Sequence, residues 1–176
     1  RRAWSEKGRP ALRARIGINS DPMLVGNLGS PYRFSYGVLG DHVNLASRLE
    51  GINNFYNTEI IIGENTAQLV KGSFLLREVD WVRVKGREQP LSIYELVALR
   101  GASLQEERAR AISCYAEGLK AYRQQRWEES LEYFEKALSF YAADGPSSVM
   151  AHRCRLYRER PPEGEWDGVF QQLTKR

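Results

Sequence analysis

Apolar residues recur at helical spacing in one early stretch, where Leu45, Leu49 and Ile52 fall on a single face. This predicts a helix over 41–54, and a second helical pattern fits 64–71. Alternating or continuous apolar runs bounded by turn residues predict strands over 12–19, 23–28, 34–39, 59–62, 74–84 and 91–97. The run Ile60-Ile61-Ile62 reads as a strand covered on both faces. Asn57, in the tight connection before it, suits a left-handed backbone. The last two strands turn at Lys85-Gly86-Arg87-Glu88. Strands and helices mixed in this order predict an α+β layer fold. After Leu99-Arg100-Gly101-Ala102-Ser103 the pattern turns wholly helical. Ser103 with Glu106 forms a capping-box sequence for a helix to about residue 124. A second helix covers 127–141, and Pro146 opens a third that runs to about residue 157. Residues 159–176 are rich in Pro and Gly in their first half and predict an irregular tail.

The candidate chemistry sits in the stretch from Tyr36 to Glu50. Asn44 and Arg48, at i,i+4 on the predicted helix, place an amide and a fixed cation one turn apart on one face. That pair suits a phosphate that gains negative charge during reaction. Asp41 is expected to cap the helix with its carboxylate. Gly26-Asn27-Leu28-Gly29 lacks the Lys-Ser/Thr of a phosphate loop and reads as a strand-end turn.

Four segments in order resemble the second half of the catalytic domain of class III nucleotidyl cyclases, the adenylate and guanylate cyclases. They are Leu12–Asn19, Met23–Ser30, Tyr36–Leu49 with its V-N-x-A-x-R signature, and Val82–Gly86 followed by Pro90–Val97. The resemblance covers about residues 10–98. It implies the C-terminal half of a ferredoxin-like cyclase domain over 1–100. By the same resemblance Arg48 stabilises the α-phosphate transition state, Asn44 orients the ribose, and Lys85 holds the outer phosphates. Gly37 falls where the family reads the purine edge, usually with a polar side chain. The implied reaction converts ATP, or GTP, to a cyclic nucleotide and pyrophosphate. It uses two divalent metal ions, Mg or Mn, held by aspartates that belong to the family's first half, upstream of residue 1. The chain by itself is therefore expected not to turn over. The implied assembly is a head-to-tail homodimer of cyclase domains. Over 111–144 the spacing of Gly118, Tyr122, Trp127, Leu131, Phe134 and Ala137 resembles one tetratricopeptide repeat, within a helical unit at 103–158. Cyclase half, helices and tail together resemble bacterial cyclases with a membrane-anchored N-terminal sensor. The catalytic region would then be cytoplasmic, joined to the membrane only through upstream sequence.

Charge and cysteines narrow the alternatives. The formal net charge is +4, yet residues 1–16 carry +5, residues 17–100 carry −1, and the remainder balances to zero. A basic excess confined to one end is not the footprint of a nucleic-acid-binding fold. Cys114 and Cys154 suit reduced thiols, and His42 and His152 share no metal-ligand spacing. Asp21 departs from the family resemblance, whose turn here usually holds Gly, at a cost of about 1 kcal/mol if its φ is positive. Besides the adenylate cyclase, the readings left open are a guanylate cyclase, a pseudo-cyclase that binds nucleotide or dimerises without turnover, and a protein whose helices recruit a partner.

Overall fold

The computed structural model describes residue 8 and residues 13–30, 32–83 and 89–171. The strands are β1 (Ile16–Ile18), β2 (Leu24–Ser30), β3 (Arg33–Leu39), β4 (Ile60–Gly63), β5 (Phe74–Arg83), β6 (Leu91–Leu99) and β7 (Phe170–Gln171). The helices are α1 (Asp41–Tyr56), α2 (Glu64–Val70), α3 (Glu106–Arg123), α4 (Trp127–Phe140) and α5 (Gly145–Glu159). Five strands form one sheet in the order β1-β4-β6-β5-β7, while β2 and β3 make a separate hairpin. β1 runs parallel to β4, β6 is antiparallel to both β4 and β5, and β7 joins β5 in parallel. The α+β architecture is the one expected from the sequence.

The apolar face of α1 explains where the first core forms. Leu45, Leu49, Ile52 and Tyr56 bury against Ile61, Val79, Val82, Leu91 and Ile93 of the sheet. Contact with β1 is unusually close: a Cβ on Gly17 would stand 2.2 Å from the carbonyl oxygen of Ala46 and 2.3 Å from the amide nitrogen of Glu50. Asn53, fully buried, donates from its side-chain amide to the Ile16 carbonyl at 3.0 Å and pins the helix to the same strand. Asn57 terminates α1 in the left-handed region, with φ 52°, as its place before β4 suggests.

A second core lies among α3, α4 and α5, built from Tyr115, Leu119, Tyr122, Leu131, Phe134, Met150, Ala151 and Cys154. The Phe134 ring occupies the space that a side chain on Gly118 would need. The two cores are joined by buried polar contacts. Arg77 of β5 pairs with Glu95 of β6 and, at 2.6 Å, with Asp144 at the head of α5. The Tyr115 hydroxyl donates to the Val79 carbonyl at 2.5 Å. The tail is more ordered than its composition suggests. Trp166 packs on Tyr122, Trp127 and Tyr157, Asp167 pairs with Arg83 at 2.8 Å, and the chain then adds β7 to the sheet.

Several local expectations are corrected. Asp41 does not cap α1; the N-cap is Gly40 at φ 149°, with no side-chain cap bond. That backbone conformation suits Gly, and it leaves Asp41 in the first turn, where its charge favours the positive helix end. The capping-box pair does not form either, because α3 begins at Glu106 with Gln105 as N-cap. Asp144 does cap α5, accepting from the Ser147 amide at 3.2 Å. Gly26–Gly29 lies inside β2, paired across the hairpin to Gly37–Phe34, so it is not a turn. Asp21 is absent from the positive-φ residues, so its expected strain does not arise. The turn at residues 85–88 lies outside the described residues.

Candidate active site

β3 leads through Gly40 directly into α1, so the hairpin and the helix start form one continuous edge. Asn44 is exposed and Arg48 is half-exposed, one turn apart on α1 along one flank of its core stripe. Among the described residues neither side chain has a hydrogen bond or an ion pair. An exposed cation without a carboxylate partner keeps its full charge available to a ligand. Gly37 sits in β3, paired with Gly26, and a Cβ built on it would meet Leu28 Cδ1 at 3.1 Å. The structure thus brings Asn44 and Arg48 together and places Gly37 in the strand that feeds their helix. Lys85 lies outside the described residues.

The start of α1 is held by a polar cluster that the sequence reading did not find. Asp21 accepts from the Asn65 amide at 2.7 Å and the Asn19 amide at 3.1 Å. It also lies 2.8 Å from Nδ1 of His42. The geometry of that approach is not a hydrogen bond's, and the buried Nδ1 has no hydrogen-bond partner among the described residues. Asn19 further donates to the His42 carbonyl at 3.4 Å. Asp21 therefore ties the β1–β2 connection to α1 and α2, which explains a carboxylate where the turn needs no glycine.

No group of three or more His, Cys, Asp or Glu side chains among the described residues could hold an ion. Asp80 is buried and already bonded to Tyr56 and Arg153, and Asp21 is taken up as above. These residues do not fit a metal centre. The exposed apolar side chains concentrate on the hairpin: Leu24, Val25, Phe34, Tyr36 and Leu39 are each more than half exposed. Among the described residues no helix is long and apolar enough to cross a membrane.

Residues 2–98 match the family model of the adenylate and guanylate cyclase catalytic domain. The chain is 31% identical over 142 residues to the terminal-differentiation-specific adenylate cyclase of Dictyostelium discoideum, a match covering 79% of this chain and 7% of that protein. A match of that extent runs past the sheet into the helices. It is 37% identical over 97 residues to adenylate cyclase 1 of Rhizobium meliloti, covering 55% of this chain and 15% of that one. Among solved structures, the adenylyl cyclase CyaB from P. aeruginosa is 33% identical, with 60% of this chain and 51% of that chain covered and a TM-score of 0.46. The chain thus spans only a small part of the length of the curated relatives it matches. With the family model matching more than half of it, this chain belongs to the adenylate and guanylate cyclase catalytic-domain family.

Proposed function

We propose that this chain supplies one side of an adenylate cyclase active site, converting ATP to cyclic AMP and pyrophosphate for intracellular signalling. The observation that carries this reading is the pair Asn44 and Arg48, displayed on one face of α1 and left without partners among the described residues. In this reading the ribose 3′-hydroxyl attacks the α-phosphate and pyrophosphate leaves. Negative charge grows on the phosphate oxygens, and Arg48 donates charge-assisted hydrogen bonds to them. Asn44 accepts from or donates to the ribose and holds the hydroxyl in line. Lys85 binds the outer phosphates as a point charge. Divalent metal ions and their aspartates belong to sequence outside these residues, and no carboxylate described here is drafted in their place. The apolar hairpin is read as the seat of the remaining catalytic sequence or of a second cyclase domain in a head-to-tail dimer. The helical unit is read as a tetratricopeptide-like hairpin with a third helix.

The names of the two curated relatives above favour ATP over GTP, whereas Gly37 offers no side chain to select either base. The absent base-reading group also favours a second reading, a pseudo-cyclase that binds nucleotide without turnover. Arg48→Ala in the whole protein separates these. The enzyme reading expects kcat to fall about 10²–10³-fold with little change in KM, as for removal of one electrostatic stabiliser. Wild-type kcat in that variant, or no cyclic nucleotide from the wild-type protein with either triphosphate and Mg or Mn, rules it out.

A further inference from the structure

β5 contains a register shift between Glu78 and Asp80. The extra residue breaks the alternation, so Val79 and Asp80 are both buried, at 0% and 1% exposure. The bulge aims the Asp80 carboxylate into the core, between the sheet and the helices that follow it. There Asp80 accepts from the Tyr56 hydroxyl at 2.5 Å and from Arg153 at 2.7 Å. Arg153 also reaches the Tyr56 hydroxyl, at 3.1 Å. Tyr56 is the last residue of α1, and Arg153 comes from α5. The backbones meet beside them: a Cβ on Gly145 would stand 2.1 Å from the Tyr56 carbonyl oxygen. The helical unit is therefore seated on the end of the helix that carries Asn44 and Arg48.

We propose that the helical unit positions the catalytic helix, and that Arg153, held by Asp80 and Tyr56, is its positioning residue. The proposal rests on the reading of Asn44 and Arg48 as substrate-binding groups. Its mechanics follow from the contact at Gly17. That strand residue presses on α1 between Ala46 and Glu50, which makes the middle of the helix a fulcrum. Tyr56 lies roughly 12 Å along the axis on one side of this point and Asn44 roughly 6 Å on the other, at 1.5 Å per residue. A shift of about 1 Å at the Tyr56 end therefore moves Asn44 by about 0.5 Å the opposite way. Arg48, at the fulcrum, moves least. Catalytic groups tolerate errors of only about this size, so loosening the far end lowers the rate mainly through Asn44.

The test measures kcat, KM and melting temperature in the whole protein, at a temperature where every variant is folded. Arg153→Met is expected to lower kcat roughly tenfold, a fraction of the loss that a full 1 Å misplacement can cause, with KM unchanged. Tyr56→Phe, which deletes one hydroxyl, moves kcat in the same direction by less and carries the test if Arg153→Met does not fold. Leu131→Ala, in the helices' own core, lowers the melting temperature but keeps kcat. In double-mutant cycles, Asn44→Ala costs less in the Arg153→Met or Tyr56→Phe background than alone, while Arg48→Ala keeps its effect. Unchanged kcat in Tyr56→Phe and Arg153→Met, an equal kcat loss in Leu131→Ala, or full additivity with Asn44→Ala overturns the proposal. If Arg48→Ala is impaired while Arg153→Met and Tyr56→Phe are not, positioning alone fails. If Arg48→Ala retains wild-type kcat, the underlying site reading fails.

Discussion

In the site proposed above, position 37 is where a single missing side chain has the largest functional reach. In that reading Gly37 offers a purine only its backbone, and that backbone is paired with Gly26 in the hairpin. Discrimination between bases comes from polar groups left unpaired by the wrong one, so selection between ATP and GTP is expected to be weak. Gly37→Thr requires the flexible end of the Leu28 side chain, 3.1 Å from a Cβ at this position, to give way slightly, and it is expected to raise the ATP-to-GTP ratio of kcat/KM. A ratio already steep in the wild type and unmoved by the substitution would place selection elsewhere. That Asn44 and Arg48 share one turn of a helix was legible because their relation is local, four residues apart. Asp21 and Arg153 were not. Asp21 reads as a misplaced turn residue until Asn65 and His42 fold against it. Arg153 finds its carboxylate 73 residues away in sequence, although its place beside Ala151 and Cys154 on a buried helix face was a hint that it needs a partner.

At the scale of elements, the strands and helices fell within a few residues of their expected places because hydrophobic period is a strong local signal. The bulge in β5 was invisible, since only pairing with β6 reveals which residue is extra. The caps of α1 and α3 were misassigned for a related reason: a capping sequence competes with whatever the preceding strand or turn imposes on the backbone. The three helices look self-sufficient by their own core, yet Arg153, buried at 5% exposure, takes its carboxylate from β5, and Tyr115 its acceptor from Val79. Leaving one member of a buried ion pair alone costs about 3–5 kcal/mol, comparable to the whole stability of a unit this small. Residues 103–157 expressed alone are therefore expected to be poorly folded or to self-associate. A monomer with a cooperative melt followed by circular dichroism would contradict this.

For the molecule as a whole, the seam between the sheet and the helices that follow it should set its response to alkali. Burial raises the ionisation of Tyr56 and Tyr115 well above the usual phenol range, with the Asp80 charge adding to it, and burial likewise raises Tyr122. A group whose folded pKa lies above its unfolded value of about 10 contributes its full stability below that pH. The contribution is lost as pH rises towards the folded pKa. Of the nine tyrosines, these three are expected to ionise only as the chain unfolds, giving a late, cooperative step in absorbance at 295 nm. A titration of all nine complete near pH 10 with native circular dichroism retained would refute the expectation.

The short strand β7 has a consequence for assembly. By lying alongside Val82 and Arg83, it occupies main-chain donors and acceptors that would otherwise invite another chain. The end of that rim, where β5 runs out, is thus closed off, and among the described residues the opposite rim at β1 carries no such cover. Growth from one rim only can end in a closed pair, whereas two open rims permit endless stacking. A chain carrying Phe170→Pro combined with Gln171→Pro, which strip the pairing donors of β7 while leaving Trp166 and Asp167 in place, should therefore form larger species than the unaltered chain at equal concentration. Sedimentation velocity reads this directly, and identical size distributions for the two would show that the cover is dispensable.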